Sequence, residues 1–370
     1  MDHISEERKI RAKKRRRTRR IVSTVMVIML LSMTVCCLVL LFAYTKEKEN
    51  AKTAWMEKSY LEEELGSGKY ITKEEADALV QESKVISSNE GDERLEQIKT
   101  MMESGETTLT MLETTFPDQI VVPDTGRYCF FDISDTIEKH DYKQENFTYP
   151  KENEETGKYE GEAYYSEGEE VTSKKGIDVS KFQGNINWKK VAGDGVEFAF
   201  IRLGYRGYGT GKMVLDEKYE DNIEGCNNAG IDAGVYFFTE AINEKEAVEE
   251  AEFVLENIKG YKVNMPIVID VEESASKDSR TKDLTQEERT ANVIAFCERI
   301  KKAGYEPMIY GNLKSFMIMM DIEQLEEYDK WFAYYRYPLK FPYKFRIWQY
   351  TASGKVSGIK GDADLNIMFY

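Results

Sequence analysis

The chain has 370 residues, too long for one ordinary domain and long enough for two or three, one of which can bury a sizeable core. Its net charge is −16, yet residues 1–20 set ten Lys and Arg against Asp2, Glu6 and Glu7, about +7, which leaves −23 for the residues from Thr45 onward. The two histidines, His3 and His140, both lie outside residues 174–370. Ser-His-Asp and Cys-His hydrolysis and His-ligated zinc are therefore excluded from that half unless another part of the chain supplies the imidazole.

In chain order, the run from Lys13 to Arg20 reads alone as a nucleic-acid patch, but it abuts residues 21–44, a stretch of 24 residues without Asp, Glu, Lys or Arg. A span of about 20 apolar residues crosses a bilayer, and Lys and Arg beside it stay in the cytoplasm. The expectation is a single-pass anchor in the cell membrane, with residues 1–20 cytoplasmic, the rest of the chain outside, and no nucleic-acid partner. A cleaved signal peptide fits less well, because the run is longer than a secretory core and leaves through Phe42-Ala43-Tyr44-Thr45 without an Ala-x-Ala site. Cys36 and Cys37 fall in the span; Cys129, Cys226 and Cys297 form no disulfide framework, and the last two read as small buried apolar residues.

Residues 45–116 are polar with helical signals, the capping-box pattern Thr72 to Glu75 and Leu95, Ile98 and Met102 at helical spacing, and read as a mostly helical stalk. Residues 117–138 hold two short strands, 119–123 and 128–133, around the turn Asp124-Thr125-Gly126. Residues 139–173, rich in Glu, Lys, Gly and Tyr, read as a mobile acidic linker.

From residue 174 to 370, short apolar strands alternate with amphipathic helices, the pattern of βα units around a parallel sheet. Eight strands are expected at 176–179, 198–203, 233–238, 266–271, 307–310, 331–335, 345–350 and 364–367. Helices are expected at 188–191, 217–228, 244–258, 286–302 and 313–327, two of them opened by the capping boxes Asn243 to Glu246 and Thr285 to Glu288. The last three strands follow too closely for full helices. The fold class is α/β, an irregular TIM-like barrel of five βα units and three closing strands, with an open doubly wound sheet as runner-up.

The chemistry left to this half is carboxylate chemistry, and it needs no cofactor or metal. In Pro266-Ile267-Val268-Ile269-Asp270-Val271-Glu272 an apolar strand ends in two acids spaced by two, so both project from one face at the strand's C-terminal end, where barrels carry their sites. Neighbouring carboxylates resist joint ionisation, which keeps one protonated near neutrality, as a glycosidase requires. An isolated Asp-x-Glu is more often a solvated strand end. Asp178 at the end of the first strand and Asp364 in the last change that balance, because first and last strands adjoin in a closed barrel.

Three segments, residues 176–184 with Ile186-Asn187-Trp188, residues 266–272, and Trp348-Gln349-Tyr350-Thr351 through Gly361 to Asp364-Leu365-Asn366, resemble in order the signatures of family 25 glycoside hydrolases, the Chalaropsis-type lysozymes. The resemblance covers residues from about 175 to the end. It implies hydrolysis of the β-1,4 bond between N-acetylmuramic acid and N-acetylglucosamine in peptidoglycan. Glu272 then matches the general acid/base, Asp270 the acid that orients or stabilises the acetamido group, and Asp178 and Asp364 the remaining carboxylates. It further implies retention through attack by the acetamido carbonyl; the residues alone leave direct carboxylate attack and inversion open. Phe237 stands where many relatives have His, so no imidazole role carries over. Tyr205, Tyr236, Tyr310, Tyr335 and Trp348 are candidates to stack on or hydrogen-bond the sugar, weighed evenly against a place in the core. A barrel that binds glycan without cutting it is the competing function.

Overall fold

A computed structural model describes residues 88–105, 107–152, 159–274 and 276–369. The basic tail 1–20, the span 21–44 and the first part of the stalk lie outside them. Among the described residues, no helix is long and apolar enough to cross a membrane. The chain divides into two compact units, Met1–Leu109 and Thr110–Tyr370. The described part of the first includes the helix Ser88–Glu103, which takes in Leu95, Ile98 and Met102.

The second unit is built on eight strands: β1 (Ser173–Val179), β2 (Phe198–Arg206), β3 (Asp232–Phe238), β4 (Ile267–Asp270), β5 (Pro307–Asn312), β6 (Asp329–Ala333), β7 (Ile347–Gly354) and β8 (Ala363–Phe369). Pairing is parallel from β1 through β7, then antiparallel from β7 to β8 and from β8 back to β1. The sheet is thus a closed barrel, and the open doubly wound alternative is excluded. All eight strands fall where apolar runs placed them.

Four α-helices cover the outside: α1 (Trp188–Gly193), α2 (Tyr219–Ala229), α3 (Glu244–Asn257) and α4 (Gln286–Lys302). Helix α4 opens on a reciprocal capping box between Thr285 and Glu288. At α3, Asn243 caps Glu246 N–H, but the Glu246 carboxylate reaches Ile242 N–H instead of closing the box. The helix expected at 313–327 does not form; a π-helical turn, Ser315–Met319, and a 3-10 turn, Ile322–Leu325, replace it. The reason is local. Phe316, Met317, Met320, Ile322 and Leu325 are buried, while the hinge between the turns is captured by α4, with Gln286 donating to Met320 O at 2.9 Å and Thr290 accepting from Asp321 N–H at 2.8 Å.

Two packed layers result. Inside the barrel, Phe198, Phe200, Val268, Met308, Tyr310, Trp331, Ile347 and Met368 form a core of their own, with Phe200 stacked on Trp331 at 4.6 Å. Gly176 and Gly234 make room for it, since a Cβ there would lie 2.1 Å from the Phe198 ring and 2.3 Å from the Phe200 ring. Outside, the helices bury the opposite strand faces, and Cys226 and Cys297 lie there as free, fully buried thiols, as expected.

Residues 139–173 differ from the mobile linker that their composition indicates. Tyr142 stacks on Phe369 at 4.0 Å and donates to Phe345 O, Phe147 and Tyr165 are buried, and the strand Tyr164–Glu167 pairs with Phe147–Thr148. Acidic composition masked a few aromatics that anchor the segment on the outer wall. The hairpin expected at 117–138 forms from Gln119–Asp124 and Arg127–Asp132.

Candidate active site

Period-two alternation aims Asp178 of β1, Asp270 of β4 and Asp364 of β8 into the barrel mouth, with Glu272 just past β4. Asp178 and Asp364 face each other across the antiparallel β1–β8 ladder. Asp178 Oδ2 accepts from Gln349 Nε2 at 2.7 Å and from Asn366 Nδ2 at 2.9 Å. Behind them, Gln349 Oε1 accepts from the hydroxyls of Tyr310 at 2.8 Å and Tyr335 at 2.5 Å, and Asn366 Oδ1 accepts from Trp331 Nε1 at 2.7 Å. These bonds orient the two amides so that both turn their N–H groups toward Asp178.

The Asp178 charge acts on the other three acids. Burial raises Asp178 to about 6, against the pull of its two amide donors. Burial, then the Asp178 charge, raises Glu272 to about 7, opposed by the nearby Tyr310 hydroxyl. Asp270 is pushed well above the carboxylate range by burial and by Glu272 and Asp178; Asp364 likewise, by burial, Asp178 and Glu272. Such a cluster keeps protons at neutral pH, and Asp178, with the most donors, is the best placed to bear charge. Asp270 is 5% exposed, and its Oδ1 has no partner within the protein.

Tyr236, Tyr310 and Tyr335 line this mouth: each hydroxyl is held well above its ordinary range, first by burial and then by neighbouring charges, among them Asp178 in all three cases. The hydroxyl of Tyr335 is sunk against the buried Gln349, while the residue as a whole is 42% exposed, which leaves the rest of it open to a ligand. A register shift after Tyr236 pairs Arg202 with Tyr236 and Gly204 with Phe237, which brings Tyr205 to the same rim, 5.8 Å from the Arg202 guanidinium. Trp348 is the correction. It is fully buried on the outer wall, donates to Tyr334 O at 2.7 Å and packs on Phe147 and Tyr149, so it does not reach the mouth. Phe237 also faces outward, against Phe253.

Arg202, Gln349 and Asn366 were not singled out from the sequence. The signal was there: Arg202 continues the inward register of Phe198 and Phe200, and alternation puts Gln349 on the face opposite Trp348. Arg202 is tied to the fully buried Asp216 by Nε at 2.7 Å and lowers the proton affinity of Asp270. Among the described residues, no cluster of His, Cys, Asp and Glu has the makings of a metal site.

The family model for glycosyl hydrolases family 25 matches residues 177–359. The barrel is a family 25 glycosyl hydrolase domain. The chain is 28% identical over 201 residues to the uncharacterized protein YegX of Escherichia coli K12, covering 52% of this chain and 68% of that one. It is 27% identical over 202 residues to lysozyme M1 of Streptomyces globisporus, covering 52% and 66%. The solved structure of the modular autolysin LytC from Streptococcus pneumoniae superposes with a TM-score of 0.49 at 24% identity, covering 72% of this chain and 59% of that one. The chain thus spans less than two thirds of lysozyme M1 and of LytC. The family match begins at the first strand and ends between β7 and β8, so Asp178, Asp270 and Glu272 lie inside it and Asp364 just beyond.

Proposed function

We propose that this chain is a membrane-anchored muramidase that cuts the β-1,4 bond between N-acetylmuramic acid and N-acetylglucosamine in peptidoglycan. The observation that carries the reading is the convergence of Asp178, Asp270, Glu272 and Asp364, from three strands and one strand end, on one mouth where the Asp178 charge raises the proton affinity of the other three and the Glu272 charge that of Asp270 and Asp364. Lysozyme M1, a curated relative, supports the substrate class.

In this reading Glu272, protonated near pH 7, gives its proton to the glycosidic oxygen as the C–O bond breaks. The acetamido carbonyl oxygen of the same sugar bonds to the anomeric carbon. Asp270, whose Oδ1 lacks a protein donor, takes the N–H of the cyclic cation. Glu272, now a carboxylate, removes a proton from water, which opens the ring with retention.

Residues 21–44 would hold the enzyme at the outer face of the cell membrane. With −23 on the exterior part, attraction to an anionic wall cannot recruit it, and a tether supplies local concentration instead. Peptidoglycan digested by the full chain should yield fragments with N-acetylmuramic acid at the new reducing end, read by mass spectrometry, and Glu272→Gln should release none. A wild type that binds glycan strands and releases no reducing ends would establish the non-catalytic binding barrel instead.

A further inference from the structure

The loop that carries Glu272 is gripped from outside the family domain. Glu273 follows Glu272 directly, and its Oε2 accepts from Lys314 Nζ at 2.7 Å. The same ammonium lies 2.8 Å from Asp124 Oδ1. Asp124 ends the strand Gln119–Asp124 of the hairpin that precedes the matched residues 177–359. The side chains of Asp124 and Lys314 are 11% and 20% exposed, so solvent screens this pair less than an ordinary surface pair. Lys314, then Arg127, holds the Asp124 carboxyl below its usual range despite its burial.

The backbone under Lys314 is stiff. Lys314 caps the π-helical turn, and such turns recur at functional sites. Ser315 is buried and its N–H donates to Asn312 Oδ1 at 3.1 Å. At Gly311 a Cβ would meet Ser315 Cβ at 2.7 Å and Val271 O at 3.3 Å, and Val271 N–H donates to Tyr310 O at 3.0 Å. The segments bearing Lys314 and Glu272 therefore share one closely packed base.

We propose that Lys314 is a positioning residue for Glu272 and that Asp124 completes its clamp, which makes the N-terminal hairpin a working part of the active site. By fixing Glu273, Lys314 fixes the peptide that follows Glu272 and hence where the Glu272 carboxyl meets Asp178 and Tyr310. The proposal rests on Glu272 being the proton donor.

The test uses the full chain and a soluble glycan-strand fragment, with kcat, KM, pH profile and Tm measured for each variant. Lys314→Met, Glu273→Gln and Asp124→Asn should each lower kcat about tenfold or more, since small misplacements of a reacting group are costly, with less change in KM. The alkaline limb of the profile should move with them. The double variant D124N/K314M should be no worse than K314M, because the residues act as one unit. Lys314→Arg should restore most of kcat. Lys340→Met, which removes a 3.2 Å contact to Glu113 in the same N-terminal segment, should leave kcat at the wild-type value.

Wild-type kcat and pH profile in K314M overturns the proposal, as does a loss in K340M equal to that in K314M. So does a fall in kcat that follows Tm and that K314R does not restore. Should K314M fail to fold, D124N decides alone: an unchanged kcat and profile there overturns the clamp. A wild type without activity refutes the muramidase reading itself, a result distinct from active wild type with unaffected variants.

Discussion

Glu272 and its neighbours set terms for both chemistry and stability. A carboxyl raised to about 7 must keep its proton to act as the acid, so kcat/KM should fall as pH rises through about 7. The sign for stability runs the same way. A folded-state affinity above the ordinary 4.5 stabilises the domain at low pH, and that contribution disappears as pH climbs through about 7. Glu272→Gln, inactive by its chemistry, should therefore melt higher than wild type at pH 8, by about 2–4 °C per kcal/mol relieved, and converge with it near pH 4. Thermal unfolding at the two pH values checks this, and equal differences at both would show that the charge cluster does not strain the fold. At this scale the acids were legible because each lies in, ends or closely follows an apolar strand with a fixed inward register. The polar residues that hold them were less so. Gln349 and Asn366 are ordinary in composition and gain meaning only from the ladder that sets them beside Asp178.

The barrel elements carry the site through packing that alternation made readable. Strand positions, capping at Thr285 and the lack of full helices late in the chain all follow from local pattern. Two elements were not legible, for opposite reasons. The segment 313–327 has helical composition, but its buried apolar residues Phe316, Met317, Met320, Ile322 and Leu325 sit on two separate turns, and Thr290 and Gln286 of α4 supply the partners at the break between them. Residues 139–173 have the charge of a linker, yet Tyr142, Phe147 and Tyr165 close the outer wall over Phe369 and Trp348. The burial of Trp348 there, away from the sugar, is part of that closure. Phe147→Ala should accordingly cost about 3–5 kcal/mol of stability, as for a core aromatic, where a linker residue would cost almost nothing. Chemical denaturation of wild type and variant distinguishes the two.

At the scale of the molecule, the compact unit that holds the barrel is larger than the family domain. It begins at Thr110, and its N-terminal part reaches the barrel through Glu113 with Arg336 and Lys340 and through Asp124 with Lys314. A fragment cut at residue 174 would strip Phe147 and Tyr165 from the core and should be less stable for it. The proposed anchor at residues 21–44 predicts that the full chain sediments with membranes and resists extraction by salt, whereas a chain lacking residues 1–44 does not; recovery of the full chain in the salt wash would refute it. The central claim is that four acids in one mouth cut a sugar bridge. Mass spectrometry of peptidoglycan digested by the purified full chain tests it most directly. Muropeptides with N-acetylmuramic acid at the new reducing end are expected from wild type and none from Glu272→Gln. Intact glycan strands after wild-type digestion, or equal products from both proteins, would contradict it.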